Sequence, residues 1–299
     1  MPNTSFIKRL LEVHITLRAG EFREGANTKI ITGVPLKVNI DKTGPPDFCK
    51  AAVEMQGILY EDLEKLSTLA FKPLASARNQ IAVYAGDGAG ELAVAFKGEI
   101  TQAAADFNTA PDVVFKLECM TGYIGNITAQ GPTAVKGNQA AADFIAAQAE
   151  AAGYTFQNNG VAASLNNCIF NGSPVAQARA AADQIGAELL IDDDVMILNP
   201  AGADTSGGGG GNGSAGGSGN AVLLNKDTGL LGYPTLTSEG VELKSLYNPE
   251  YRLGGLVKVE TIVPKAAGVW RITKLTHELE AFNPSGGPWE SRITGYPVE

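Results

Sequence analysis

The chain has 299 residues and a mass of 31.1 kDa, long enough for two or three modest domains with a core in each. Hydrophobic residues at 44% and charged residues at 18% exclude bulk disorder. A net charge of −9 argues against a phosphate-gripping surface, because such affinity comes from Lys and Arg displacing counterions.

The three cysteines, Cys49, Cys119 and Cys168, are far apart and contain no CxxC pair. A zinc ribbon or a secreted disulfide framework is therefore unsupported. They read as small buried hydrophobes of a protein made in a reducing cytoplasm. The N-terminal MPNTSFIKRLLEVHITL lacks the long apolar core and cleavage site of a signal peptide, and no apolar run is long enough to span a bilayer.

In chain order, Leu11 to Leu17 alternates and predicts a strand. Asn27 to Ile40 predicts a second, broken at Gly33-Val34-Pro35, and Pro45-Pro46 closes that hairpin. Ala51 to Ile58 reads as a strand, and Tyr60 to Leu69 as a short helix with Leu63 and Leu66 at helical spacing. Asn79 to Ala85 and Leu92 to Thr101 form a hairpin across Gly86-Asp87-Gly88-Ala89-Gly90, and Val113 to Met120 a further strand.

From Thr133 the texture changes. Gly137 to Gly153 is alanine-rich and predicts a helix, with Ala142, Ile145 and Ala149 on one stripe and Gly153 as C-terminal cap. Tyr154 to Ile169 predicts two short strands around the turn signal Asn158-Asn159-Gly160. Ser173 caps a second helix, Val175 to Ile185, with Pro174 at its first position. Glu188 to Ile191 and Val195 to Leu198 then close a hairpin across Asp192-Asp193-Asp194.

Residues 201–220 are so rich in glycine and serine that they read as a long flexible loop, since glycine has the largest ordering entropy and no side chain to bury. Beyond it, Gly232-Tyr233-Pro234 is a turn and Gly240 to Leu246 an alternating strand. Leu256 to Val263 predicts another strand, with Val257, Val259, Thr261 and Val263 on one face. Gly268 to Leu279 and Trp289 to Tyr296 predict an antiparallel hairpin across Asn283 to Pro288. The fold class is mainly β, α+β overall: two antiparallel β regions, 1–132 and 221–299, flank a small α+β domain at 133–200.

No residue emerges as catalytic, cofactor-binding or metal-binding. His14 and His277 fall within strands without partners nearby in sequence, so both read as structural or surface histidines. Asp192-Asp193-Asp194 lacks the spaced ligand set of a calcium loop and reads as a solvated turn. The glycines at 86–90 lead into a strand, whereas a phosphate cradle leads into a helix. Glu61, Asp62 and Glu64 read as the solvated face of a short helix.

Three stretches together resemble phage tail baseplate hubs of the gp27-like and late-control-D-like family. They are Arg78 to Gly86 with Val94 to Ile100 and Ala104 to Asn108; Thr228 to Pro234 with Gly240-Val241 and Leu246 to Pro249; and Gly268 to Ile272 with His277 to Leu279 and Trp289 to Ser291. The resemblance implies two tail-tube-like β-barrels, with the α+β domain inserted between them. It implies a homotrimer whose six barrels form a pseudo-sixfold ring, with tail tube or distal tail proteins on one face and a central spike or fibre on the other. DNA would pass through without specific binding, and the protein would be a virion component assembled in the host cytoplasm. An acidic ring suits that passage, since it repels phosphates. The alternatives are a carbohydrate-binding module using Trp270 and Trp289, which read instead as core or cross-strand packing, and a peptidoglycan-degrading domain within 133–200.

Overall fold

The computed structural model of the chain describes residues 9–22, 25–67, 78–87, 91–200, 221–283 and 286–298. The glycine tract 201–220, the start of the N-terminal stretch, the C-terminal end of the helix predicted to Leu69, and parts of the 86–90 and 283–288 turns lie outside the described residues. The chain divides into two compact units. One comprises Met1–Ile40, Lys50–Met120 and His277–Glu290; the other comprises Asp41–Cys49, Thr121–Thr276 and Ser291–Glu299.

The first unit is built on β1 (Arg9–Thr16), β2 (Thr28–Ile31), most of β3 (Leu36–Thr43), β4 (Lys50–Gln56), β5 (Gln80–Asp87), β6 (Ala93–Asp106) and β7 (Val114–Met120), with helix α1 (Tyr60–Leu66) between β4 and β5. The strand order is β3-β4-β7-β6-β5-β1-β2. The registered neighbours are antiparallel, as in Val13↔Val83 and Val53↔Leu117. Alternation decides which side is wet: Leu11, Val13 and Ile15 are buried, while Glu12, His14 and Thr16 face outward. Strand β6 runs five residues beyond the predicted end, because Ala103 to Asp106 stay in register with Leu117 to Val114 of β7. Among the described residues no pairing of β2 with β3 closes this sheet into a barrel.

In the second unit, α2 (Tyr123–Ile127) leads to β8 (Thr133–Ala140), α3 (Ala141–Ala152), β9 (Thr155–Asn158), β10 (Ser164–Phe170), α4 (Pro174–Gln184), β11 (Ala187–Asp192) and β12 (Val195–Pro200). Phe144, Ile145, Ala149, Val175, Ala178 and Leu189 share one core here. Two sequence expectations fail. Residues 137–140 belong to β8, since Gly137 at φ +73° and Asn138 are weak helix formers and β10 offers a partner. The helix starts only at Ala141, and Ala142 is half-buried while Ala141 and Phe144 lie in the core.

Strands β9 and β10 flank a true turn at Gly160, but they do not pair with one another. Strand β9 joins β12 in parallel and β10 joins β8 antiparallel, because each finds its apolar partners elsewhere. The caps are as predicted: Gly153 is left-handed at φ +82°, and Ala176 N donates to Ser173 Oγ at 3.2 Å.

The remaining strands are β13 (Val222–Leu224), β14 (Thr235–Thr237), β15 (Gly240–Leu246), β16 (Leu256–Val259), β17 (Gly268–Ala281) and β18 (Trp289–Pro297). Their order is β14-β15-β18-β17, with β16 against β17 and β13 parallel to β16. Val241, Leu243, Val257, Val259, Trp270 and Ile293 fill the core of this sheet. Strand β16 is shorter than predicted: the chain turns at Val263, whose carbonyl accepts from the Ala266 and Ala267 amides. Gly240, at φ +128°, sits so close to the Gly295 carbonyl oxygen that any Cβ there would collide with it.

Candidate functional site

Lys42 continues the inward alternation of β3 after Leu36, Val38 and Ile40, and its side chain is only 1% exposed. Its ammonium donates to Asp192 Oδ1 at 2.6 Å and to Asp193 Oδ2 at 3.0 Å, both in the β11–β12 turn. Arg252 Nη1 lies 3.8 Å from Asp193 Oδ2, so two cations face two carboxylates. A buried charge persists only when paired this way.

Burial pulls the Lys42 ammonium down, but the Asp192 and Asp193 carboxylates outweigh it and hold it protonated above its ordinary range. Burial pushes the Asp193 carboxyl up against the pull of Lys42. It also pushes the Cys49 thiol and the Tyr247 phenol up to about 12 each. The Asp192-Asp193-Asp194 turn is thus only one-third solvated: Asp194 is exposed, while its two neighbours neutralise Lys42. The signal was Lys42 itself, a charge on the inward phase of an apolar strand.

The cluster is charge-balanced and holds no activated nucleophile: the Cys49 thiol stays protonated, and its sulfur lies 3.5 Å from the Ile191 carbonyl oxygen. Among the described residues no group of His, Cys, Asp and Glu is arranged to hold a metal ion. His14 stacks on Tyr84 with ring centroids 4.5 Å apart, and His277 is buried. Asp62 also departs from expectation. It is buried and ion-paired with Lys29, leaving Glu61 and Glu64 as the exposed face of α1. Trp270 is buried with its indole N–H on the Ala266 carbonyl at 2.9 Å, and Arg9 lies 5.9 Å over the half-buried Trp289. Trp270 therefore has no open face for a sugar to stack on.

A cleft in the second unit, about 370 Å³, is lined by Gly44, Glu188, Arg271, Thr273 and Lys274 among others, and the Arg271–Glu188 ion pair occupies its wall. Glu239 also lines it, and Glu188 is held by Arg271.

Among the described residues, β2 and the 229–237 stretch lie at strand edges. Strand β2 ends one sheet, with Ile30 exposed. At β15, residues 229–231 and β14 run along one side through bonds such as Leu246 N to Gly229 O, and no further strand pairs beyond them among the described residues. Tyr233 and Leu236 are exposed along this edge, which carries no charge between Gly229 and Thr237. Such edges are templates for another chain.

The profile described as baseplate hub gp41 matches residues 10–283. The fold is similar to the 43 kDa tail protein of prophage MuSo2 from Shewanella oneidensis: TM-score 0.58 and 10% identity over 97% of this chain and 96% of that one. It is similar to a tail protein from Neisseria meningitidis MC58, with TM-score 0.60 and 10% identity over 96% of each chain. It is also similar to the E. coli c3393 protein, a type VI secretion component described as resembling the T4 tail proteins gp27 and gp5. There the TM-score is 0.57 and the identity 12%, over 89% of this chain and 74% of that one. None of the curated proteins matches the chain.

Proposed function

The chain belongs to the baseplate hub gp41 family, and from that premise we propose that it is a non-enzymatic tail-tip hub whose copies form a trimeric ring. In this reading residues 1–132 and 221–299 supply two tube-like elements per copy, and 133–200 is an inserted module. Three copies then make a pseudo-sixfold ring, with the tail tube or distal tail proteins on one face and the central spike or fibre on the other. DNA passes through the ring, and the net charge of −9 keeps it from sticking. Assembly takes place in the host cytoplasm before the hub enters the virion.

The observation that carries the reading is the match over residues 10–283, joined to strand edges, at β2 and along residues 229–237, beyond which no further strand pairs among the described residues. Pairing those edges between copies would complete each element as a barrel and remove the aggregation hazard of an open edge. A ring of three requires head-to-tail contacts, in which two different surfaces meet.

Light scattering over a concentration series tests this, together with the copy number in purified tails. The expected mass is three times 31.1 kDa, with three copies or a multiple of three per tail. A stable dimer in solution and an even, non-threefold copy number in tails would refute the ring.

A further inference from the structure

Two Asn-Gly pairs fall among the described residues, Asn159–Gly160 and Asn171–Gly172, and the fold treats them differently. In such a pair the glycine nitrogen is poorly shielded, since no Cβ stands beside it. That nitrogen can attack the asparagine side-chain carbonyl carbon and close a cyclic imide. In a folded chain the rate depends on how freely the side-chain amide and the glycine nitrogen can meet, and on access of water.

Asn159, which follows β9, is held at both ends of its amide. Its Oδ1 accepts from Gln157 Nε2 at 2.7 Å, and its Nδ2 donates to Asn199 Oδ1 at 2.7 Å. Its backbone amide donates to the Leu198 carbonyl at 2.9 Å, and Asn199 is fully buried. The half-buried Asn159 side chain reaches Gly160 only by breaking this network.

Asn171 lies between β10 and α4 and is exposed, and its side chain makes no hydrogen bond among the described residues. The Gly172 N–H likewise has no acceptor among them. Gly172 sits at φ +106°, a conformation that favours glycine, so the unshielded nitrogen is required by the turn into α4.

We propose that Asn171–Gly172 is a site of spontaneous deamidation in the folded chain, and that the amide network protects Asn159–Gly160. The Gly172 nitrogen loses its proton to solvent base and bonds to Asn171 Cγ; the Cγ–Nδ2 bond breaks and that nitrogen leaves as ammonia. Water then adds to either imide carbonyl. Opening at Cγ leaves an aspartate in an ordinary backbone, and opening at the main-chain carbonyl leaves isoaspartate. No electrons are exchanged, and water is the only co-reactant.

The two products act differently on α4. An aspartate adds negative charge just ahead of the helix N-terminus, which favours it. Isoaspartate inserts a methylene into the main chain immediately before Gly172, whose carbonyl accepts from Gln177 Nε2 at 3.0 Å. The same amide donates to the Gly131 carbonyl at 3.0 Å, and Gln177 is fully buried. The lengthened backbone therefore disturbs a buried side chain of α4.

The test incubates the full-length folded chain in mildly alkaline buffer, with peptide mass mapping at intervals and isoaspartyl methyltransferase labelling of the β-linked product. Conversion at position 171 to both products is expected, at least about tenfold faster than at 159, because the Asn159 amide must first give up its hydrogen bonds. In urea the two rates should converge. Equal rates in the folded chain, faster conversion at 159, or an Asn171 that stays intact in the folded chain while urea converts it would overturn the proposal. Chains enriched in isoaspartate should melt lower than freshly purified Asn171→Asp, which should match or exceed the parent. Equal melting of the two would overturn the link to Gln177.

Discussion

Lys42 Nζ sits 2.6 Å from Asp192 Oδ1, an ion pair buried between residues 150 positions apart in sequence. It ties the end of β3 to the turn that closes the β11–β12 hairpin, so a single charge fixes where that turn lies. Removing one partner of such a pair leaves the other charged and dry. Lys42→Met is therefore expected to lower stability by about 3–5 kcal/mol, read from urea denaturation. Lys42→Met combined with Asp192→Leu should recover part of that loss, because the stranded carboxylate goes too. A single variant as stable as the parent would show that the pair is open to water.

The same region predicts the alkaline limb of the stability curve. Cys49 and Tyr247 hold their protons up to about 12 in the folded chain, whereas the unfolded groups ionise nearer their ordinary values of about 8.5 and 10. The folded state thus binds more protons in that window, and stability falls as pH rises from about 9 towards 12. Lys42 acts in the same direction at still higher pH: its raised value keeps its contribution intact below about 10.4 and loses it above. Denaturant midpoints at pH 8, 9, 10 and 11 should fall progressively, and Cys49→Ala should flatten the first part of the decline. A flat profile would contradict the burial of both groups.

Thiol chemistry offers an independent check. Cys49 and Cys119 are buried with their pKa values raised, chiefly by burial, while Cys168 is partly exposed. One thiol per chain should react rapidly with a disulfide reagent at pH 8, and Cys168→Ser should abolish that phase. Three fast thiols would mean that the cores around Cys49 and Cys119 open readily.

The α4 cap is a smaller, cleaner test. The Ser173 hydroxyl accepts from the Ala176 amide at 3.2 Å, and Ser173→Ala should cost about 0.5–2 kcal/mol, with Ser173→Asp close to parental. Equal losses for both substitutions would point to packing rather than capping.

Gly240 tests the sheet itself. Its φ of +128° and its contact with the Gly295 carbonyl leave no room for a side chain, so Gly240→Ala should destabilise by several kcal/mol or block folding. A parental melting temperature would show that β15 and β18 can separate there at no cost.

The strands of both β regions, the helix caps and the hub-like character were legible in the sequence because each is written locally. Alternation reports a half-buried strand whatever it packs against, and Ser173-Pro174 and Gly153 announce helix ends through their own backbone chemistry. Local chemistry misled where a distant partner decided the outcome. Residues 137–140 left the alanine-rich helix for β10, and β9 chose β12 over the strand that follows it. Asp62, Asp192 and Asp193 read as solvated acids because a turn or helix face is their usual place. Only the tertiary structure brings Lys29 and Lys42 to them, since the sign and burial of a charge depend on what lies beside it in space. The pairing of Tyr60 with Phe107 belongs to the same class: the sequence contains both rings, but 47 residues of chain separate them, and only the folded sheet sets them side by side in water.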